Sequence, residues 1–205
     1  MPLSFYRADA QAGTVELWYA VVGDDTRRLS QMGPGSTSNL LGPGGRGWFV
    51  PEGTRKALLV AGGIGVPPVL CLAGMLAEQG VDVTYAWALA PRPRPWASTS
   101  SARWEPRLTC APTTARWART VFAPTCRRAA RRGRLRLRRQ LRPRRHDEEG
   151  RRGCRRAGAY CEVSLERMMS CGFGACNTCN VETVDGMKGA CMCGPVFDAS
   201  KVVVF

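Results

Sequence analysis

The sequence predicts a protein that combines α/β structure with additional β-structure, and three stretches of the 205-residue chain support this prediction. Residues 14–22 are rich in β-branched and aromatic side chains, which favour strands. Residues 56–90 follow the order strand, glycine-rich turn, helix, strand, which predicts a βαβ unit with a parallel sheet. Residues 171–191 hold a cysteine-rich loop and then the hairpin-turn dipeptide Asp185-Gly186.

Local signals predict the bounds of several elements. Residues 69–79 predict an apolar helix that ends before Gly80, a residue type favoured just after a helix. Residues 26–32 predict a short helix with Asp25 or Thr26 as its N-cap. The other expected elements are a helix over 164–169 and strands over 56–61, 81–86, 180–183 and 190–192.

The glycine-rich turn at residues 62–68 has the pattern G-G-x-G-x-P-P. Backbone N–H groups and the helix dipole face outward at such a turn, so it is a candidate phosphate cradle. The pattern differs from the dinucleotide-binding fingerprint G-x-G-x-x-G. A tight turn that merely packs the helix on its strand explains it equally well, and both interpretations stay open at this point.

Four of the ten cysteines have the spacing C-x4-C-x2-C-x11-C within residues 171–191. This is the spacing of a plant-type [2Fe–2S] cluster, which needs four thiolates in one small volume. Gly172 and Gly174 permit the φ angles of a tight loop and leave backbone N–H groups free to point at sulfur. A zinc site made of four cysteines and a set of disulfides are the alternatives, although only Cys176 and Cys179 have the C-x2-C spacing usual for zinc.

The net charge of +14 comes from one block, residues 91–157. The block contains 21 arginines, no lysine and four acidic residues, a net charge of +17, so the rest of the chain carries −3. Basic nucleic-acid-binding arms usually mix lysine with arginine. We therefore interpret the block as a frameshifted reading and expect it to be irregular or disordered. The alternatives are an Arg-rich nucleic-acid-binding protein with a four-cysteine zinc site, or a damaged product without function.

No stretch of the sequence predicts a membrane span or a signal peptide. Apolar runs stay short of the roughly 18–20 residues that a membrane helix needs. Residues 1–7 lack the basic start and apolar core of a secretory signal. Ten cysteines without such a signal are typical of a reducing compartment, so the expected location is the cytoplasm.

Several motifs together resemble a known family. The first is the C-terminal block from Glu162-Val163-Ser164-Leu165-Glu166 through the cysteine loop to Gly194-Pro195-Val196-Phe197; the others are Ala61–Pro68, Leu41-Gly42-Pro43 and Pro2-Leu3-Ser4. On these residues the chain resembles the electron-transfer subunits of two-component dihydroorotate dehydrogenases, which are ferredoxin–NADP reductase-like flavoproteins. Met1 stands where that family has an arginine, and we expect an N-terminal truncation.

The resemblance implies a fold and a division into parts. The implied fold is a partial flavin-binding antiparallel β-barrel, a partial parallel α/β nucleotide-binding domain and a small C-terminal [2Fe–2S] subdomain. The corresponding parts are residues 1–52 for the truncated FAD-binding barrel, 53–90 for the start of the NAD-binding domain, 91–157 for the anomalous arginine block and 158–205 for the cluster domain.

The resemblance also implies an oxidoreductase subunit without catalytic residues of its own. NADH would reduce FAD, and electrons would pass through the [2Fe–2S] cluster to the FMN of a dihydroorotate dehydrogenase catalytic subunit in pyrimidine biosynthesis. The two subunits would form a heterotetramer, with no membrane and no nucleic acid involved. The implied cluster ligands are Cys171, Cys176, Cys179 and Cys191. The implied cofactor-binding residues are Pro2, Leu3, Ser4, Trp18, Tyr19, Ala20, Asp25 and Thr26 for the flavin and Gly62, Gly63 and Gly65 for the nucleotide.

Overall fold

The computed structural model describes residues 1–89, 96–97, 108–112 and 151–203. The chain divides into two units. The sheet unit comprises residues 3–38 and 50–117, and the cysteine unit comprises residues 1–2, 39–49 and 118–205. The four-part division expected from the sequence stays a prediction.

The sheet unit begins with short antiparallel pairs. Strands β1 (Phe5–Asp9) and β2 (Thr14–Leu17) form a hairpin. Strand β3 (Tyr19–Ala20) pairs with a later two-residue strand, β6 (Trp96–Ala97). The run predicted as one strand over residues 14–22 is therefore broken at Trp18. These pairs give the unit antiparallel β-structure, and closure into a barrel stays a prediction.

A short helix, α1 (Asp24–Ser30), follows and has Gly23 as its N-cap. The hydroxyl of Thr26 accepts hydrogen bonds from the N–H groups of Val22 at 3.0 Å and Gly23 at 3.1 Å. Thr26 thus lies at the third helical position and reaches back to the cap, as the far residue of a capping box does. The prediction that Asp25 or Thr26 is the N-cap is wrong, because the helix begins two residues earlier than the sequence suggested.

The predicted βαβ unit is confirmed. Strand β4 (Lys56–Gly62) leads through a 3₁₀ turn (Gly63–Gly65) into helix α2 (Val66–Glu78) and strand β5 (Asp82–Leu89). Strands β4, β5 and β7 (Leu108–Pro112) form a parallel sheet in that order. Helix α2 buries one face, made of Val66, Pro67, Val69, Leu72, Ala73 and Leu76.

Helix α2 begins three residues before the predicted start at Val69. Its first turn contains Pro67 and Pro68. Proline is tolerated there because the first N–H groups of a helix have no intrahelical partner. Gly80 follows the helix with φ +73°, as predicted for a residue in the left-handed region.

The arginine block contains regular structure where it is described. The prediction that residues 91–157 are irregular is wrong for β6, for β7 and for residues 151–157, which are helical (α3). The edge of β5 offers unpaired backbone groups, and β7 pairs with them despite its composition. Arginine and alanine are good helix formers, which is consistent with helix α3.

Helix α3 ends in a Schellman motif, the C-terminal cap in which a glycine turns left-handed. Gly158 has φ +62°, and its N–H donates to the Arg155 carbonyl at 3.3 Å. The N–H of Ala159 donates to the Cys154 carbonyl at 3.0 Å, which completes the motif. The chain then returns along the helix, and contact with the Cys161 thiol lowers the pKa of Cys154 to about 7.

Two antiparallel strand pairs form much of the rest of the cysteine unit. Strand β8 (Glu162–Ser164) pairs antiparallel with β11 (Val196–Asp198). Strands β9 (Asn180–Thr183) and β10 (Gly186–Gly189) form a second pair, followed by the one-turn helix α4 (Ala190–Cys193). The core between them contains Val163, Leu165, Cys179, Val181, Ala190, Cys191, Phe197, Ala199 and Val202.

Two predicted elements of this unit are wrong. Residues 164–169 do not form a helix, since Ser164 ends a strand and residues 165–169 have no regular structure. Val163 and Leu165 are both buried, and this alternation suits an extended chain rather than a helix. The strand expected over 190–192 is the helix α4, and β10 lies just before it. No helix in the described residues is long and apolar enough to cross a membrane.

Glycines 74 and 80 allow a paired test of the α2 geometry. Gly80→Ala should destabilise the protein by about 1 kcal/mol, because alanine is strained at φ +73°. Gly74→Ala should stabilise it by about 0.5–1 kcal/mol, because Gly74 lies within α2 and a Cβ there meets nothing within 4 Å. Urea unfolding followed by circular dichroism measures both changes. Equal changes in the free energy of unfolding for the two variants would contradict a helix α2 that includes Gly74 and ends before Gly80.

Candidate metal centre

The cysteine loop has the backbone geometry that its glycines predicted. Gly172, Gly174 and Asn177 all have positive φ, at 78°, 87° and 57°. A Cβ on Gly174 would lie 2.9 Å from Cγ of Met192, so the loop also needs a small residue there. Three left-handed residues within six positions wind the chain tightly, so backbone N–H groups turn toward the loop interior.

The hairpin β9–β10 and helix α4 return Cys191 to the loop. The N–H of Cys191 donates to Sγ of Cys179 at 3.4 Å, and the N–H of Ala190 donates to the Cys179 carbonyl at 3.0 Å. Cys179 and Cys191 are both buried in the core of the unit. The structure therefore places the fourth predicted ligand directly beside the third.

The four predicted ligands lie as two thiol pairs. The thiols of Cys171 and Cys176 contact each other, and so do those of Cys179 and Cys191. The Cys171 thiol also contributes to raising the pKa of Cys191. Each iron of a two-iron cluster is tetrahedral and needs two protein thiolates, and two pairs of thiols match that requirement.

Backbone N–H groups surround these sulfurs. The sulfur of Cys171 accepts from the N–H groups of Cys176, Phe173 and Ala175, and that of Cys191 accepts from the N–H of Gly174. Hydrogen bonds of this kind stabilise cluster thiolates and tune the cluster's reduction potential.

The thiol pKa values differ around the loop. Hydrogen bonds from the Thr178 hydroxyl and N–H lower the pKa of Cys176 to about 6. The N–H groups, that of Cys176 foremost, lower the pKa of Cys171. Contact with the Cys179 thiol and burial raise the pKa of Cys191. The pKa is thus lowered at both of the first two loop cysteines, by backbone N–H groups at Cys171 and by the Thr178 hydroxyl and N–H at Cys176.

No three His, Cys, Asp or Glu side chains in the described residues are grouped tightly enough to hold a single metal ion. The feature that favours a metal cluster is instead the pairing of the four thiols, Cys171 with Cys176 and Cys179 with Cys191. Cys193, which the sequence reasoning excluded as a ligand, is exposed. The donor set of four cysteines in two pairs fits a [2Fe–2S] cluster.

A second segment, the cover loop (residues 44–49), lies against the Cys191 turn. The N–H of Arg46 donates to the Gly194 carbonyl, and Arg46 forms a parallel bridge with Pro195. A Cβ on Gly45 would overlap the Gly194 carbonyl oxygen and lie 3.2 Å from the Cys191 carbonyl oxygen. Sequence reasoning did not find this contact, because a contact between residues about 150 positions apart leaves no periodic pattern.

One buried carboxylate fixes the cover loop. The side chain of Glu162 is 5% exposed and accepts from Arg46 Nη2 at 2.7 Å and from the N–H of Phe49 at 2.7 Å. The Tyr160 hydroxyl donates to the same carboxylate at 2.9 Å. The rings of Phe49 and Tyr160 pack edge to face at 5.9 Å. The hydroxyl of Tyr160 also holds the pKa of the Arg46 guanidinium above its usual value.

The predicted flavin residues lie in both units. Pro2 belongs to the cysteine unit, and the others belong to the sheet unit. The Trp18 ring stacks on Tyr6 at 4.1 Å, and its indole Nε1 is buried without a hydrogen-bond partner. Asp25 is exposed on α1. Leu3, Ser4, Tyr19, Ala20 and Thr26 are at least partly accessible.

The predicted nucleotide residues form the turn between β4 and α2. Gly62 and Gly65 are exposed, and a Cβ on either one would meet nothing within 4 Å. Packing of the helix on its strand therefore does not require glycine at these two positions. Gly63 begins the 3₁₀ turn between them. The geometry favours the cradle interpretation, since bare glycines let a ligand approach the backbone.

Comparison with solved structures shows the class of fold. The chain matches an NADH-dependent reduced ferredoxin–NADP oxidoreductase, described in connection with flavin-based electron bifurcation, with a TM-score of 0.73 and 22% identity. The match covers 98% of this chain and 73% of that one. This likeness shows that the chain shares the fold of that oxidoreductase.

Sequence comparison shows the family. Residues 166–203 match the iron–sulfur cluster binding domain of dihydroorotate dehydrogenase B. The chain is 32% identical to the dihydroorotate dehydrogenase B (NAD(+)) electron transfer subunit of Geobacillus sp. (strain WCH70) over 99% of its own length and 79% of that protein's. The chain belongs to the family of dihydroorotate dehydrogenase B electron transfer subunits.

Other relatives match a shorter part. The corresponding subunit of Listeria monocytogenes serotype 4a is 43% identical over 86 residues, which is 41% of this chain and 34% of that protein. The chain therefore spans about a third of the length of this relative. The subunit of Desulforamulus reducens is 30% identical over 98% of this chain and 79% of its own length.

The contact between the cover loop and the Cys191 turn can be tested with two glycines. Gly45→Ala should destabilise the cysteine unit by about 2–3 kcal/mol, because the added methyl overlaps the Gly194 carbonyl. Gly158→Ala is the matched control in the same unit, since its φ of +62° imposes similar backbone strain and a Cβ there meets nothing within 4 Å. Thermal unfolding of both variants measures the difference. Equal melting temperatures would contradict the contact.

Proposed function

We propose that this chain is an electron-transfer subunit that relays electrons from NADH, through FAD and a [2Fe–2S] cluster, to the FMN-containing catalytic subunit of a dihydroorotate dehydrogenase. That partner oxidises dihydroorotate to orotate in pyrimidine biosynthesis. The observation that carries the proposal is the return of Cys191 to Cys179, where the Cys191 N–H donates to sulfur at 3.4 Å, beside the tight loop that holds Cys171 and Cys176. Membership of the family supports the rest.

The residues proposed as cluster ligands are Cys171, Cys176, Cys179 and Cys191. When bound, the cluster accepts and releases one electron at a time, and FAD links the two-electron donor NADH to such steps. Around the ligands, the loop amides stabilise negative charge on sulfur. The core of the cysteine unit keeps Cys179 and Cys191 away from water.

The proposed flavin segment offers a buried donor. The Trp18 Nε1–H group has no partner among the protein atoms of the described residues, and a buried donor is costly unless an acceptor reaches it. A bound flavin would supply acceptor atoms, so the segment around Trp18-Tyr19-Ala20 fits that group. The Gly62–Gly65 turn would receive the phosphates of NADH on its bare backbone.

Exposed apolar side chains around the cysteine loop support a protein partner. Such side chains are costly to leave in water, and a cluster of them marks an interaction surface. The members of this group are Leu40, Leu41, Met168, Phe173 and Met192. The proposed partner is the catalytic subunit, in a heterotetramer. The proposed location is the cytoplasm, where thiols stay reduced.

Serine substitutions test the ligand assignment. Cys171→Ser, Cys176→Ser, Cys179→Ser and Cys191→Ser should each strongly reduce the visible absorption of the purified protein, because serine is a poor replacement for a thiolate at iron. The matched controls are Cys193→Ser, in the same unit, and Cys71→Ser on α2. Both controls should keep the wild-type spectrum.

The same spectra decide between iron–sulfur and zinc. A wild-type protein that is colourless and contains about one zinc per chain would overturn the proposal. Loss of colour in Cys193→Ser, with colour retained in Cys191→Ser, would reassign the fourth ligand.

A further inference from the structure

The buried Glu162 carboxylate joins segments that are distant in sequence. It lies on β8 and binds the Arg46 side chain and the Phe49 N–H, both on the cover loop. A carboxylate that is 5% exposed loses most of its hydration, and its hydrogen bonds must offset that loss. Three donors satisfy the Glu162 carboxylate and fix its position relative to the cover loop.

The cover loop that Glu162 holds lies over the turn after Cys191. The Arg46 N–H donates to the Gly194 carbonyl, and a Cβ on Gly45 would overlap that carbonyl oxygen and lie 3.2 Å from the Cys191 carbonyl oxygen. These carbonyls would otherwise face water at the end of α4. The Glu162 side chain reaches this turn through the cover loop. The backbone of β8 reaches it separately, since the Leu165 N–H donates to the Pro195 carbonyl at 2.9 Å.

We propose that Glu162 is a positioning residue, which clamps the cover loop through Arg46 and Phe49 and so orders and shields the Cys191–Gly194 turn. The consequence for the turn itself is independent of any cofactor. The consequence for electron transfer rests on the proposed function, because solvent access is one of the factors that set the reduction potential of an iron–sulfur cluster. A clamp that keeps water from the Cys191 side holds that potential down.

Hydrogen exchange tests the clamp with or without a bound cluster. Glu162→Ala removes the acceptor of all three donors, so amide exchange should accelerate in the cover loop and in residues 190–195 by about tenfold or more, while the β4–α2 segment is unchanged. Arg46→Ala removes the partly exposed partner and should produce the same pattern if Glu162→Ala does not fold. Exchange in residues 190–195 that matches wild type in these variants would overturn the proposal.

The midpoint potential of the cluster distinguishes the loss of the clamp from the direct effect of removing a charge. Arg46→Ala removes a positive charge and Glu162→Ala a negative one, so charge alone would shift the potential in opposite directions. Loss of the clamp admits water in both variants, and water favours the more negative reduced cluster. Both variants should therefore raise the potential. Shifts of opposite sign would overturn the link to the cluster.

The control is Glu166→Gln, which removes an exposed charge from the same segment. It should leave exchange in residues 190–195 unchanged and alter the potential less than Glu162→Ala does. Chelator-driven bleaching of the cluster should be about tenfold faster in Glu162→Ala and near wild type in the control. A wild-type protein without a cluster would overturn the proposed function, while the exchange experiment would still decide whether Glu162 positions the turn.

Discussion

The cysteine unit depends on one constraint, that the hairpin must return Cys191 to the loop that holds Cys171, Cys176 and Cys179. The loop meets it by taking left-handed conformations at Gly172, Gly174 and Asn177. The hairpin meets it by a two-residue turn that brings Cys191 back to Cys179, where an N–H group donates to sulfur at 3.4 Å. The small core beneath these cysteines gives both segments a fixed support.

The sequence predicted those parts of the structure that depend on local residue types. Glycine placement and the Asp185-Gly186 turn predicted the tight loop and the hairpin that brings Cys191 beside Cys179. The set of four ligands stays a prediction. The strand–turn–helix–strand pattern of the sheet unit likewise predicted a parallel sheet. Such a prediction is possible because the signals for a buried strand and for a helix that ends at glycine lie in consecutive residues.

Long-range contacts were not predictable in the same way. The clamp between Glu162 and Arg46 joins residues 116 positions apart, and neither residue type signals the pairing. Residues 164–169 were mistaken for a helix because Leu165 and Met168 have helical spacing, while burial of Val163 and Leu165 decided for an extended chain. The composition of the arginine block also gave a wrong prediction at residues 108–112, which pair with the edge of β5 as a strand.

The cysteine unit is the proposed centre of electron transfer. Its Glu162 carboxylate holds the cover loop by hydrogen bonds that the family motif alone does not show. The central claim is the identity of the metal group. Analysis of iron and acid-labile sulfide in the purified wild-type chain tests this claim most directly. A [2Fe–2S] cluster predicts about two of each per chain. Zinc in place of iron, with no sulfide released by acid, would contradict it.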